Sequence, residues 1–287
     1  MIFNCVSPCK LNLFLYITGK RPDGYHNLQT LFVILNYGDR MSFETVAEDT
    51  VNLESAFDFP KEDNLIYKAA MLLKRHCAVK DGVNIGIKKV LPQGGGLGGG
   101  SGNAATTLLV LNRLWHCHLD ENTLIKLGAS LGADVPVFIK GVTAFAEGIG
   151  EILTPVAYPS RWYLVCTPEG CHVPTAKLFS HPSLKKDSQT RSFMELMQEP
   201  FENCFTSVVT CEYPKVQKLL DTLAQFGPAF MSGSGSSCFV PFDDESAAQQ
   251  AYAKVKTMGI PSFLAEAVEK SPVITALDNL KLTVPNG

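Results

Sequence analysis

From residue 9 to residue 17 the chain alternates, with Leu11, Leu13, Leu15 and Ile17 on one face and Lys10, Asn12, Phe14 and Tyr16 on the other. A period of two predicts a half-buried strand with core on one face and a cation on the other. Residues 19–24 read GKRPDG, and an apolar run follows at 28–35. Pro-Asp-Gly is turn chemistry, so a hairpin or a longer connection is expected, with Tyr25 and His26 emerging from the turn. The period changes at 63–77, where Leu65, Ile66, Ala69, Ala70, Leu72 and Leu73 recur at helical spacing between an acidic start and Lys74-Arg75-His76. That charge order suits a helix dipole.

A strand is predicted at 83–90, and a helix at 121–131 that stops at Gly132. Asp134 then takes an N-cap-like place ahead of Pro136, and 138–147 alternates as a strand would. Further on, 162–167 and 238–242 read as strands, 175–179 as the start of a helix, and 181–191 as a polar loop. The Pro-bearing stretch 154–159 is the expected boundary between two domains, 1–155 and 156–287.

Between the strand at 83–90 and a helical pattern carried by Ala104, Ala105, Leu108, Leu109, Leu111 and Leu114 lies the least ordinary segment. Seven of the nine residues from Gly94 to Gly102 are glycine. So dense a run costs backbone entropy, which a fold tolerates where the chain must bend sharply or let a ligand reach bare amides. Ending at a helix N-terminus, the loop is expected to cradle an anion such as phosphate.

Gly94, Gly96 and Gly99 match G-x-G-x-x-G with Asp120 about 20 residues on, but Asp120 falls between two helical patterns, away from the strand end that a dinucleotide fold requires. A Walker loop would close on Gly-Lys-Ser/Thr, whereas this one closes on Ser101-Gly102-Asn103 and holds no lysine. The neutralising charge must come from elsewhere. A flexible linker is disfavoured by the regular elements on either side.

Composition narrows the classes further. The chain has 287 residues, 46% hydrophobic and 18% charged, enough for two globular cores. A net charge of −3 without a Lys/Arg run argues against nucleic-acid binding. Neither a signal-peptide pattern at 1–16 nor an apolar run near the roughly 20 residues of a membrane span is found, so a cytoplasmic protein without membrane contact is expected. Nine cysteines without a CxxC pair suggest reduced, buried thiols, and His116-Cys117-His118 reads as a polar helix end. Oligomeric state is not set by any of these patterns.

Three segments together match one pattern: Lys10-Leu-Asn12-Leu with Arg21-Pro-Asp-Gly-Tyr25-His26, then Pro92 through Ala105, and finally Met231-Ser-Gly-Ser-Gly-Ser-Ser237. The chain resembles the GHMP kinase superfamily along nearly its whole length. The KRPDGYH turn, the triple-Gly loop and Leu131-Gly-Ala-Asp134-Val-Pro-Val-Phe138 are most similar to the members that act on a CDP-linked methylerythritol. Two departures stand out: Asn203-Cys204-Phe205 where Asn-Asp-Leu is usual, and Gly102 where a second serine is common.

The resemblance implies an α+β, two-domain fold with its active site in the interdomain cleft. It also implies direct transfer of the ATP γ-phosphoryl group to the 2-hydroxyl of the CDP-linked acceptor, in the non-mevalonate isoprenoid pathway, with Mg²⁺ accompanying ATP. Such a reaction needs positioning, charge stabilisation and a group to take the hydroxyl proton. The resemblance assigns Asp134 as that base, Lys10 as the cation beside it and Asn12 to the acceptor hydroxyl. Tyr25, His26, Thr175 and Phe179 fall at the cytosine end, with two aromatic rings expected to sandwich the base. Asn64, Pro92, Gly94, Gly95, Gly96, Leu97, Gly98, Gly99, Gly100, Ser101, Gly102 and Asn103 fall on the ATP side, Ser101 as a candidate Mg²⁺ contact, and 232–237 near the phosphates.

Read from the residues alone, Asp134 and Asn64 are equally helix caps, Tyr25 a turn residue and Phe179 a core residue. Kinases of galactose, homoserine or mevalonate, and a non-catalytic nucleotide-binding protein, are the alternatives.

Overall fold

The computed structural model describes residues 2–55 and 57–280. Strands β1 (Ile2–Lys20) and β2 (His26–Val46) form one long antiparallel hairpin, paired from Ile2↔Glu44 to Lys20↔His26. Its turn is closed by Gly24 at φ 89°, by the Arg21 amide donating to Tyr25 O at 2.8 Å, and by the Asp23 carboxylate accepting from the Tyr25 amide at 3.1 Å.

β1 is not the half-buried strand that its alternation predicts. Register shifts at Pro8/Lys10, Asn12/Leu15 and Ile17/Gly19 bend and twist it. Leu11, Phe14 and Ile17 are all fully buried, and the strand contributes to three separate apolar clusters. It is the seam between layers, so both faces are covered. Truncating a seam residue such as Phe14 to Ala is the kind of change that costs about 3–5 kcal/mol.

Around this hairpin β2 also pairs antiparallel with β4 (Gly82–Lys88) and β5 (Ala144–Glu147). β3 (Val51–Leu53) runs parallel to β4, and β6 (Ile152–Pro155) antiparallel to β5, completing a six-stranded sheet. Helices α1 (Leu65–His76), α2 (Gly99–Leu114), α3 (Glu121–Ala129) and α4 (Val135–Lys140) share a core with it, built on Phe43, Ile85, Leu108 and Leu111.

A second sheet, β10-β7-β9-β8, is antiparallel throughout: β7 (Trp162–Cys166), β8 (Phe230–Met231), β9 (Cys238–Phe242) and β10 (Ser262–Glu266). The short helices α5 (Thr175–Phe179) and α6 (Phe193–Leu196) precede α7 (Thr206–Glu212), α8 (Pro214–Leu223) and α9 (Glu245–Thr257). Val209, Leu219 and Val255 from those last three pack with Leu164 and Val240. α10 (Pro272–Asp278) returns to pack on β1 and α2. The middle cluster joins the two sheets, with Leu11 and Phe14 beside Tyr163 and Phe239. No helix among the described residues is long and apolar enough to cross a membrane.

The predicted strand at 138–147 is corrected: 135–140 is helical, and β5 begins only at Ala144. Pro at the first turn and Gly141 in the left-handed region at φ 64° delimit a short helix, and its Val135, Val137, Phe138 and Ile139 are all buried. The alternation holds for the part that is strand, 144–147, whereas 135–139 is apolar throughout and carries no period that would mark it as helix.

Candidate active site

The glycine loop is shaped by positive φ at alternate positions, 68° at Gly94, 75° at Gly96 and 72° at Gly98. Bends of this kind make the amide-lined concavities that hold anions. α2 begins at Gly99, inside the glycine run, so its first turn and the loop are one feature. The loop is held through its carbonyls: Ser237 N donates to Gly95 O at 3.1 Å, Ser232 Oγ to Gly96 O at 3.1 Å and Lys10 N to Leu97 O at 3.0 Å. The N–H groups of a first helical turn have no intrahelical acceptor, and they form the electropositive side.

Part of the glycine content is packing. A Cβ on Gly96 would stand 2.2 Å from Ser232 O, and one on Gly102 2.6 Å from Pro8 O. The small-residue stretch 232–237 therefore lies directly against the glycine loop.

Lys10 sits below this pair of loops, 3% exposed. Its ammonium reaches Asn12 Oδ1 at 2.5 Å, Gly96 O at 3.2 Å and Asp134 Oδ2 at 3.2 Å. Three acceptors match its three protons, which fixes the head group. Asn12 in turn donates to Thr30 Oγ1 at 2.8 Å, and Thr30 to Phe14 O at 2.5 Å. Asn12 thus orients Lys10 as well as facing the cleft.

Asp134 occupies the N-cap position of α4 but makes no capping hydrogen bond. Its carboxylate turns to Lys10 and is 33% exposed. The helix-cap reading of that side chain is not what the structure shows. Asn64, by contrast, does cap α1, accepting from the Ile66 amide at 2.9 Å, and is buried.

A cleft of about 840 Å³ unites the groups. Lys10, Asn12, Gly94, Gly96, Gly98, Ser101 and Asp134 line one part, and Tyr25, His26, Thr175 and Phe179 another. Asn64, Pro92, Gly95, Leu97, Gly99, Gly100, Gly102 and Asn103 are not among its walls; Leu97 is core, and the Asn103 amide donates to Asp39 at 3.0 Å. At the aromatic end His26 stacks on Phe179, with centroids 5.1 Å apart and planes 20° apart, and Phe205 meets Phe179 edge-on. Tyr25 is 60% exposed. The ring stacked on Phe179 is that of His26. Burial, and then the charges of Lys186 and Lys20, hold the His26 imidazole below its ordinary pKa, so it stands neutral near pH 7. Thr175 and Ser234 share a hydrogen bond at 2.7 Å.

The sequence marks Asn203-Cys204-Phe205 only as a departure and gives no role to these residues or to Asp39 and Lys89. Asn203 donates to Met231 O at 2.9 Å and Gly233 O at 2.8 Å, pinning the entry of the second loop, and Phe205 after it closes the aromatic cluster. Burial pushes the intervening Cys204 thiol up to about 12, which makes it inert packing. Asp39 and Lys89 form an ion pair beside the glycine loop, and Lys89 Nζ lies 3.7 Å from where a Cβ on Gly99 would stand. Nothing in the local pattern around Asp39 marks these contacts, because all its partners are at least 50 residues away. Among the described residues no group of three or more His, Cys, Asp or Glu could hold a metal ion.

Residues 64–142 match the model for the GHMP kinases N terminal domain, and residues 181–260 that for GHMP kinases C terminal. A 4-diphosphocytidyl-2-C-methyl-D-erythritol kinase of Hahella chejuensis is 46% identical over 284 residues, covering 94% of this chain and 95% of that one. Its counterpart in Tolumonas auensis is 45% identical, covering 96% of each. A crystal structure of 4-(cytidine 5'-diphospho)-2C-methyl-D-erythritol kinase superposes with a TM-score of 0.80 at 31% identity, over 92% of this chain and 98% of that one. A homoserine kinase from Cytophaga hutchinsonii shares the fold at 15% identity, with a TM-score of 0.65. The chain belongs to the GHMP kinases and, within them, to the 4-diphosphocytidyl-2-C-methyl-D-erythritol kinase family.

Proposed function

We propose that the protein transfers the γ-phosphoryl group of ATP to the 2-hydroxyl of 4-diphosphocytidyl-2-C-methyl-D-erythritol, with Asp134 as base. The observation that carries the reading is the Lys10–Asp134 pair, 3.2 Å apart and set in one cleft with the glycine loop and the His26–Phe179 stack. Asp134 accepts the hydroxyl proton as the oxygen attacks the γ-phosphorus. The O–P bond forms, the bond to the β-phosphate oxygen breaks, and ADP leaves. Charge building on the transferring group meets Lys10 and the N-terminus of α2, both fixed before the reaction begins. Such a transfer needs no covalent intermediate.

At the other end the flat aromatic surfaces of Tyr25, His26 and Phe179 suit a cytosine ring, and a neutral imidazole can donate from one nitrogen and accept at the other. Mg²⁺ bound to the ATP phosphates would neutralise their charge. Ser101 and Asp134 are cleft side chains with oxygen donors that could meet it, the rest of its shell being phosphate oxygens and water. We place the division between the two kinase domains at 155/156 and the activity in the cytoplasm, on small molecules; a net charge of −3 supports the latter against nucleic acid.

The test is ADP release from Mg-ATP with the cytidyl-linked acceptor, beside free methylerythritol, mevalonate, homoserine and galactose. Turnover that requires the cytidyl group is expected. Equal turnover on an acceptor without it would contradict the cytosine end.

A further inference from the structure

We infer that Asp39 is a positioning residue for ATP, a single buried carboxylate that clamps both ends of the phosphate loop. The inference rests on the reading of that loop as the ATP site. Asp39 lies on β2 and is fully buried. Its Oδ1 accepts from the Val90 amide at 2.8 Å and the Leu91 amide at 3.0 Å, just where β4 hands over to the loop. Its Oδ2 accepts from Asn103 Nδ2 at 3.0 Å, in the first turns of α2, and from the Lys89 ammonium.

Four donors thus converge from the two ends of the stretch 89–103. An uncompensated carboxylate in a core is strongly unfavourable, so the site persists only because every lone-pair direction finds a donor. The base of the clamp is itself closely packed. Asp39 pairs with Ser7 in the β1–β2 ladder, and a Cβ on neighbouring Gly38 would stand 1.8 Å from Ser7 O. β1 also carries Lys10, so the loop amides and the catalytic ammonium are referred to one rigid hairpin. A loop tethered at both ends presents its amides without having to order them when the nucleotide arrives.

Asp39→Asn keeps the volume and removes the charge. It is expected to raise the KM for ATP by about tenfold or more, the loss typical of hydrogen bonds to a charged group, with the acceptor KM and kcat at saturating ATP nearly unchanged. A merely structural role would lower the melting temperature without this split. Hydrogen exchange, read without substrate, is expected to quicken at 90–103 and to stay as in the wild type in β7 and β9.

Should Asp39→Asn not fold, Asn103→Ala removes one donor and is expected to act in the same direction by a few-fold. An unchanged KM for ATP overturns the inference, as does unchanged exchange at 90–103. Wild-type protein without ATP-dependent turnover would instead overturn the kinase reading, while quickened exchange in the variant would still support the clamp.

Discussion

Two lysine–aspartate pairs flank the glycine loop, and they are buried in opposite senses. At Lys10–Asp134 the lysine side chain is 3% exposed and the aspartate side chain 33%; at Lys89–Asp39 the aspartate side chain is fully buried and the lysine side chain 42% exposed. The residue types and the proximity to the loop are shared, so the orientation of burial separates the roles. A carboxylate that takes a proton from substrate must face the cleft, and its cation can be locked beneath it. A carboxylate that holds backbone in place must be enclosed by donors and never meets substrate. Removing the accessible one should cost chemistry, and removing the enclosed one should cost ground-state affinity.

That contrast is most exposed to failure at Asp134. Asp134→Asn is expected to lower kcat by about 10²–10⁴ while leaving both KM values within a few-fold, measured by coupled ADP release. Lys10→Met should follow, since it strips the cation from Asp134 and leaves Asn12 Oδ1 without its partner; a fall in kcat of about 10- to 100-fold is expected in the same assay. A fall in ATP affinity alone would move Lys10 into the class of Asp39. Phe179→Ala, which touches neither pair's ion contact, should raise the acceptor KM by about 3- to 10-fold with kcat retained.

The smallest effect is on pH dependence. Because burial depresses the His26 pKa, the unfolded chain takes up that proton first, so this contribution to stability is lost as pH falls below about 6.5. The melting temperature of wild type relative to His26→Phe should hold steady above that pH and decline below it. A relative gain on acidification would reverse the sign assigned to burial.

Much of this was legible in residues that act locally. The turn before Tyr25, the helix starting at Leu65 and the glycine loop each announce themselves by spacing or by residues that only certain backbones tolerate. At Asp134 a cap and a base look alike in one sequence, and only the structure shows that its carboxylate makes no capping hydrogen bond and turns to Lys10. What the pattern hid was non-local. β1 alternates as a half-buried strand, yet its register shifts bring residues of both predicted faces, Leu11 and Phe14, into the cluster shared with the second sheet. The helix at 135–140 is apolar through its first five residues, all buried, and has no period to read. Asp39 looks like any polar residue near the middle of a strand until 50 residues later the chain brings Lys89, Val90 and Leu91 to it.

The division of labour between the two carboxylates is tested most directly by single-turnover phosphoryl transfer at saturating ATP and acceptor, with Asp134→Asn and Asp39→Asn run side by side. Asp134→Asn should remain slow by about 10²-fold or more however much ATP is added, and Asp39→Asn should approach the wild-type rate once ATP saturates. Equal slowing of both at saturation, or a fast Asp134→Asn, would contradict it.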